Sequence, residues 1–310
     1  MTGIVALIVP IFGIVLLGWA AALAGVLSER VSDGLSEYVF ALAVPALILD
    51  TLTRPGLSGE ITPSYWISYF GGAAVAWAIG SLIARRRGGI DRRGAVLHGF
   101  ASSQSNTVFV GVPMILQAYG EAGAFPLFML LAVHLPLMMG AATFLIEADG
   151  DKSFLARLRG LAWVLVRNPI IVALVLGLTL RQFAIVPSGP AKQLIDAVAG
   201  TASVCALIAL GAGLRRYRLV HDLPGALSIA TLKLGIHPLV VWVLAFHVFT
   251  MPPAYAGVAV LFAAMPVGIN AYLLANRYDT EKGPIAAAIL ASTLLAILST
   301  AGWLWVLGRV

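Results

Sequence analysis

The sequence predicts an all-α integral membrane protein with ten transmembrane helices arranged as two inverted five-helix repeats, the fourth and ninth helices broken and crossing. Three observations predict it. The 310 residues are 60% hydrophobic and only 11% charged, where ordinary soluble domains carry about 25% charged residues. Lys and Arg are concentrated in alternate connections between the apolar runs. Two apolar runs, one in each half, are interrupted by proline, glycine and asparagine.

A window of about 19 to 20 residues, the length that crosses a ~30 Å hydrocarbon core, places spans at 3–24, 34–53, 66–84, 94–119, 123–146, 163–181, 193–214, 226–249, 254–278 and 284–308. No Lys or Arg precedes Arg30, so the first span lacks the positive flank of a secretory signal and is read as a permanent helix. The connections after spans one, three, five, seven and nine hold 15 of the 20 basic residues, among them Arg85, Arg86, Arg87, Arg215 and Lys282. The opposite side holds Arg54, Arg181, Lys192 and Arg309, and Lys233 lies inside span eight. By the positive-inside rule the protein is a multi-pass component of a cytoplasmic membrane with both termini on the non-cytoplasmic side. The net charge of +6 is therefore explained by topology, and nucleic acid is not an expected partner.

Five spans per half is an odd number, so a duplicated half enters the membrane in the opposite orientation from its twin. The expected division is a first repeat at 1–148, a cytoplasmic connector at 149–162 and a second repeat at 163–310. Tyr119-Gly-Glu-Ala-Gly after span four and Tyr278-Asp-Thr-Glu-Lys-Gly after span nine are a modest trace of duplication. The single cysteine, Cys205, rules out an intrachain disulfide.

Span four carries the chemistry. Between His98 and Tyr119 it reads Ser102, Ser103, Gln104, Ser105, Asn106, Thr107, and then Gly111 and Pro113. Such a run facing lipid leaves polar groups unpaired, so it faces protein or a water-filled cavity. Pro113 lacks an N–H and crowds the carbonyl four residues back, which breaks the helix. Span nine answers with Pro266, Gly268 and Asn270. A half-helix N-terminus presents free N–H groups and about half a positive charge. Two such ends crossing make an anion seat without a formal cation. The alternative is a pair of proline kinks whose polar side chains are satisfied between helices. The candidate substrate-binding residues are Gln104, Asn106, Thr107, Val110, Pro113, Pro266, Gly268 and Asn270.

Candidates for ion or proton coupling are Asp50, His134, Lys233 and His237. Lys233 and His237 are four apart on one helical face and suit gating or proton transfer, or Lys233 snorkels to the cytoplasmic interface. His134 is a proton site or a neutral histidine bonded to a carbonyl. Asp50 binds a proton or cation, or is an interfacial carboxylate beside Arg54. No acidic residue lies within either broken stretch, so coupling to H+, to Na+ or to membrane potential alone all stay open. No cofactor or metal is expected. HExxH, P-loop and Cys/His metal patterns are absent, and His98 meets Ser103 and Ser105 at spacings that share a helical face poorly, so an enzyme is not expected.

Asn106-Thr-Val-Phe-Val-Gly-Val-Pro113 resembles the Asn-Thr-x-x-x-Gly-x-Pro signature of the auxin efflux carrier family. Pro266-Val-Gly-Ile-Asn-Ala-Tyr272, Phe40-Ala-Leu-Ala-Val-Pro45, Asn168-Pro169 and Gly211-Ala-Gly-Leu214 are also similar to that family. The resemblance covers nearly the whole chain. It implies a ten-helix, two-repeat secondary transporter, related in fold to bile-acid sodium symporters, that exports or exchanges a small organic anion by elevator-type alternating access. The substrate is then a carboxylate or an indole-acetate-like acid, held where helices four and nine cross. Asn106, Pro113 and Pro266 match the family's crossover positions; Asn270 is an extension from the local pattern. The connection between spans five and six is short, unlike that of the plant long-form carriers, so phosphorylation control is not implied. The Pro-Pro-like neighbourhood of some members is only partly present in span nine. A membrane sensor or binding protein on the same fold is the alternative, and an ion channel ranks third. The resemblance favours a homodimer, whereas Gly18, Ala22 and the small residues of span seven serve contacts between or within chains equally well.

Overall fold

The computed structural model describes residues 2–54, 62–148, 159–160, 162–163, 166–217 and 222–308. The expected connector at 149–162 lies largely outside the described residues. Among the described residues eleven helical runs are delimited: α1 Thr2–Leu23, α2 Glu29–Leu52, α3 Pro63–Arg86, α4 Arg92–Ser103, α5 Thr107–Ile146, α6 Pro169–Gln182, α7 Gly189–Leu214, α8 Leu223–Val248, α9 Pro253–Ala264, α10 Ile269–Arg277 and α11 Lys282–Val306. Seven of them are long and apolar enough to cross a membrane, while α6 and α9 are shorter apolar helices. The 40 residues of α5 would reach about 60 Å at 1.5 Å per residue, twice the hydrocarbon thickness. Gly120 resolves this by leaving helical geometry (φ 55°, ψ −139°), so α5 is two helices meeting at a bend.

Local sequence explains where helices begin. Pro63, Pro169 and Pro253 open α3, α6 and α9, positions where a missing N–H costs nothing. Asp91 and Asn168 accept hydrogen bonds from the N–H groups of Gly94 (2.7 Å) and Ile170 (2.9 Å), capping α4 and α6.

Internal prolines explain where helices loosen. Val39–Ala43, Thr107–Gly111 and Leu232–Ile236 are π-helical turns, each ending two residues before Pro45, Pro113 or Pro238. The N–H groups of Val44, Val112 and His237 reach back five residues to the carbonyls of Val39, Thr107 and Leu232. The wider turn makes room for the proline ring and leaves a carbonyl short of its donor. The carbonyl of Leu234, four residues before Pro238, instead accepts from Trp303 Nε1 at 3.0 Å.

The helices divide into two groups. In one, α1 lies along α7 and α2 lies along α6 and α7; in the other, α3 lies along α4 and α8, α8 along α9 and α11. Small residues let backbones touch: a Cβ on Gly18 would meet the Ile208 carbonyl oxygen at 2.5 Å, and one on Gly211 would overlap that of Val15. Ala22 is buried in the same seam. These residues are thus spent on contact within the chain, which removes them as an argument for a dimer. Outward-facing Val9, Leu17, Val175 and Leu298 leave an apolar exterior suited to lipid.

Polar ties gather at the ends of the bundle. Arg54 holds Asp50 (2.6 Å) and Glu121 (3.3 Å) at one end. At the other, Arg87 pairs with Asp222, Arg216 with Asp33 (2.7 Å), and His98 bridges Glu281 (3.1 Å) and Ser228 (2.9 Å).

Because Gly211 has no room for a side chain, Gly211→Val is expected to lower the thermal unfolding midpoint by several degrees or abolish monodisperse protein. Gly13→Val, where nothing lies within 4 Å, should leave the midpoint unchanged; equal effects at the two positions would contradict the close seam.

Candidate functional site

The helical ladder stops between Ser103 and Thr107, where Gln104 (φ −76°, ψ 115°) and Asn106 (φ −78°, ψ 77°) are not helical. It stops again between Ala264 and Ile269, with Met265 and Gly268 extended. The two unwound segments hydrogen-bond to each other. The Asn106 N–H donates to the Pro266 carbonyl (2.8 Å) and the Gly268 N–H to the Gln104 carbonyl (2.9 Å), around an antiparallel bridge between Ser105 and Val267. The Val267 N–H, left over, donates to Ser292 Oγ on α11 at 3.0 Å. Pro266 sits where only its carbonyl is needed. Gly268 sits where a Cβ would come within 2.8 Å of the Ser105 carbonyl oxygen, so the approach of the two chains demands glycine.

Past each crossing a helix begins with no side-chain cap, α5 after Asn106 and α10 after Gly268. Their N-terminal N–H groups and dipole ends are available to a ligand. Asn106 is 3% exposed and Gln104 1%, yet Asn106 Nδ2 and Gln104 Oε1 have no hydrogen-bond partner. Buried polar atoms are normally satisfied, so an orphan amide here marks a place for another molecule.

A cavity of about 230 Å³ meets this place. Ser105, Asn106, Thr107, Gly268 and Asn270 line one part of it, Phe40, Phe109 and Leu131 its apolar wall, and the Asp33–Arg216 pair another part. Of the sequence-predicted residues, Asn106, Thr107, Gly268 and Asn270 come together there. Gln104, Val110, Pro113 and Pro266 do not line it. Val110 and Pro113 are buried on the π-turn and at the start of the helix that follows. Sequence reasoning missed Ser32 and Ser36, whose spacing with Phe40 puts all three on one face of α2; that spacing was the available signal. It also missed Ser292 and Tyr69, for which no local signal exists. Tyr69 OH lies 3.3 Å from Ser105 Oγ and 2.9 Å from His134 Nδ1.

The coupling candidates separate. Asp50, with its side chain 5% exposed, is held by Arg54 (2.6 Å) and Lys192 (3.0 Å) and does not line the cavity. His134 is buried, with Nδ1 2.9 Å from the Tyr69 hydroxyl, and it also meets the backbone of Ser105. Lys233 does not snorkel: it is fully buried, donates to the Ala263 carbonyl and lies 3.2 Å from His237 Nδ1. The interfacial reading fails because the π-turn before Pro238 holds Lys233 against the last turn of α9. The hydroxyls of Ser102 and Ser103 bond to carbonyls of their own helix, and the serine that His98 meets is Ser228 of α8, at 2.9 Å, with Glu281 on its other ring nitrogen at 3.1 Å. Among the described residues no three His, Cys, Asp or Glu side chains gather as metal ligands.

An all-helical bundle with an apolar exterior and a buried polar seat reached by a cavity defines a polytopic membrane transporter. The family model described as "Membrane transport protein" matches residues 3–304, and the chain belongs to that family, the auxin efflux carrier family, whose members are membrane transporters and not enzymes. It is 28% identical over 320 residues to a Rhizobium meliloti (strain 1021) protein named "Putative malonate transporter", covering 99% of this chain and 97% of that one. It is 27% identical over 302 residues to an "Uncharacterized transporter" of Methanothermobacter thermautotrophicus (strain Delta H), covering 96% of each.

Removing the Ser292 hydroxyl orphans the Val267 N–H, a loss of about 1–3 kcal/mol. Ser292→Ala should therefore lower the unfolding midpoint and Ser292→Thr should recover most of it. An alanine variant as stable as the parent would show that Ser292 does not hold the crossing.

Proposed function

We propose that the protein is a secondary transporter that exports or exchanges a small organic anion, its carboxylate held where the segments 104–106 and 265–268 cross. One observation carries this reading: the buried, partnerless amide of Asn106 beside two uncapped helix N-termini in a cavity wall. Backbone N–H groups, a helix dipole and a carboxamide donor together favour a carboxylate. The cavity suits a compact ligand, and the name of the Rhizobium meliloti relative points to a short dicarboxylate such as malonate.

The ten-span, inverted-repeat reading is supported by two features. Gly120 divides α5, so that α4 with the first part of α5, and α9 with α10, each act as one interrupted span. Exchanging the halves maps the α1–α7 contact onto α6–α2, and α3–α4 onto α8–α9. The Lys and Arg counts favour a cytoplasmic position for the Asp33–Arg216 pair that lines part of the cavity. The cavity lies between the two helix groups, with Asn106 and Asn270 on one and Ser32, Phe40 and Asn168 on the other. Sliding of the side that holds Asn106 and Asn270 past the side that holds Ser32, Phe40 and Asn168, an elevator-type movement, carries the seat to the opposite face.

In proteoliposomes loaded with malonate, the wild type should show saturable counterflow of labelled malonate, and Asn106→Ala should lose it by at least roughly tenfold, the cost of one charge-assisted hydrogen bond, while eluting as folded protein. Unchanged counterflow in the variant contradicts the assignment of the seat; binding without counterflow in the wild type makes the protein a sensor.

A further inference from the structure

Among the described residues Lys233 is the one Lys or Arg that lies in the interior of a span with no exposed surface. Its Nζ donates to the carbonyl of Ala263, in the last turn of α9, and lies 3.2 Å from His237 Nδ1. No backbone N–H caps the end of α9, so Lys233 sits at the negative end of a half-helix dipole.

The groups around it are imidazoles and hydroxyls. From α3 comes Tyr69, its ring 5.3 Å from that of His237; from α5 comes His134, bonded to the Tyr69 hydroxyl at 2.9 Å. From α4 comes His98, which bonds Ser228 on α8, five residues before Lys233, and is itself paired with Glu281. α9 contributes one ionisable side chain, Tyr255, and α11 none from Ile285 to Val306. Among the described residues no carboxylate forms an ion pair with Lys233, His134 or His237. A buried ammonium without a counterion is costly, whereas the neutral amine is tolerated.

The missing counterion has an address. Ala263 is three residues from Pro266, whose carbonyl accepts from Asn106, so Lys233 and the proposed anion seat are separated by roughly 10 Å of chain. Tyr69 OH touches Ser105 Oγ in the cavity wall, a polar connection from this cluster to the seat.

Resting on the proposed function, we propose that Lys233 is the coupling residue: its amine takes up a proton when the anion occupies the crossing and releases it when the anion leaves, so that one proton accompanies each anion. The proton enters from the cavity solution onto Nζ and returns to solution with the departing anion, and no bond in the substrate is made or broken. At about 10 Å and an effective dielectric near 20, the attraction amounts to roughly a tenfold change in affinity per negative charge of the anion, and so to roughly a hundredfold for a dianion such as malonate.

The test is malonate binding to the purified full-length protein in weakly buffered solution with a pH indicator, at a pH where free malonate is fully ionised, with short monocarboxylates run in parallel. At a pH midway through the Lys233 transition the wild type should take up about 0.8 proton per malonate bound, and it should bind roughly a hundredfold more weakly as pH rises through that transition. Lys233→Gln, whose amide still donates to Ala263, should bind at all pH values with the weak affinity the wild type shows above the transition and take up no proton. Wild-type binding without proton uptake, or a Lys233→Gln variant with wild-type uptake and pH dependence, overturns the inference and leaves the anion seat standing. Should the variant fail to fold, the wild-type proton count alone decides. No binding of any anion by the wild type removes the proposed function, and the inference with it.

Discussion

Inside hydrocarbon a main-chain N–H or C=O that loses its helical partner has no water to turn to, and each one left open costs several kcal/mol. The crossing of residues 104–106 with 265–268 meets that constraint. Each unwound strand supplies what the other lacks: Asn106 donates to Pro266, Gly268 donates to Gln104, and Ser292 takes the N–H that remains. Neither break is stable in lipid without the other, and their dependence fixes the two halves of the chain around one point. What the crossing leaves unsatisfied is confined to one side, the N-terminal ends of α5 and α10 and the amide of Asn106.

The rest of the molecule serves that point. Prolines that would disrupt α2, α5 and α8 are absorbed by π-turns, and the carbonyl freed before Pro238 is taken by Trp303. The same local widening in α8 brings Lys233 to the end of α9. The start of α10 and the end of α9 that Lys233 holds thus lie within a few residues of each other, and in the proposals above both act on the same ligand. Glycines at 18 and 211 draw α1 and α7 together, so the cavity opens between helix groups that are each tightly joined.

Much of this was legible in the chain. Pro266 and Gly268 announced an interruption because their backbone chemistry is local: a missing N–H or a missing Cβ acts wherever it stands. Pro113, expected to break its helix near Phe109 to Val112, is instead absorbed by a π-turn, and the break falls at Gln104 to Asn106. The resemblance carried by Asn106 to Pro113 agrees with a family match that runs over residues 3–304. Partners distant in sequence were not legible. Ser292 lies 25 residues from Val267, Lys192 lies 142 from Asp50, and Ala263 lies 30 from Lys233. Lys233 read as interfacial because hydropathy measures depth along a span and says nothing of which neighbour faces it. Val110 was placed at the site by its position between Asn106 and Pro113, but the π-turn rotates it into the apolar core.

The central claim is that two interrupted helices, closed on each other by main-chain hydrogen bonds, leave their bare N-termini to hold a carboxylate. A crystal structure of the protein with bromomalonate tests it most directly, since the bromine's anomalous signal locates the ligand independently of the fit. The account predicts a peak in the cavity beside Asn106 and Asn270, with a carboxylate oxygen about 3 Å from Asn106 Nδ2 and from N–H groups at the start of α5 or α10. A ligand found elsewhere, with the Asn106 amide still unpartnered, would contradict it.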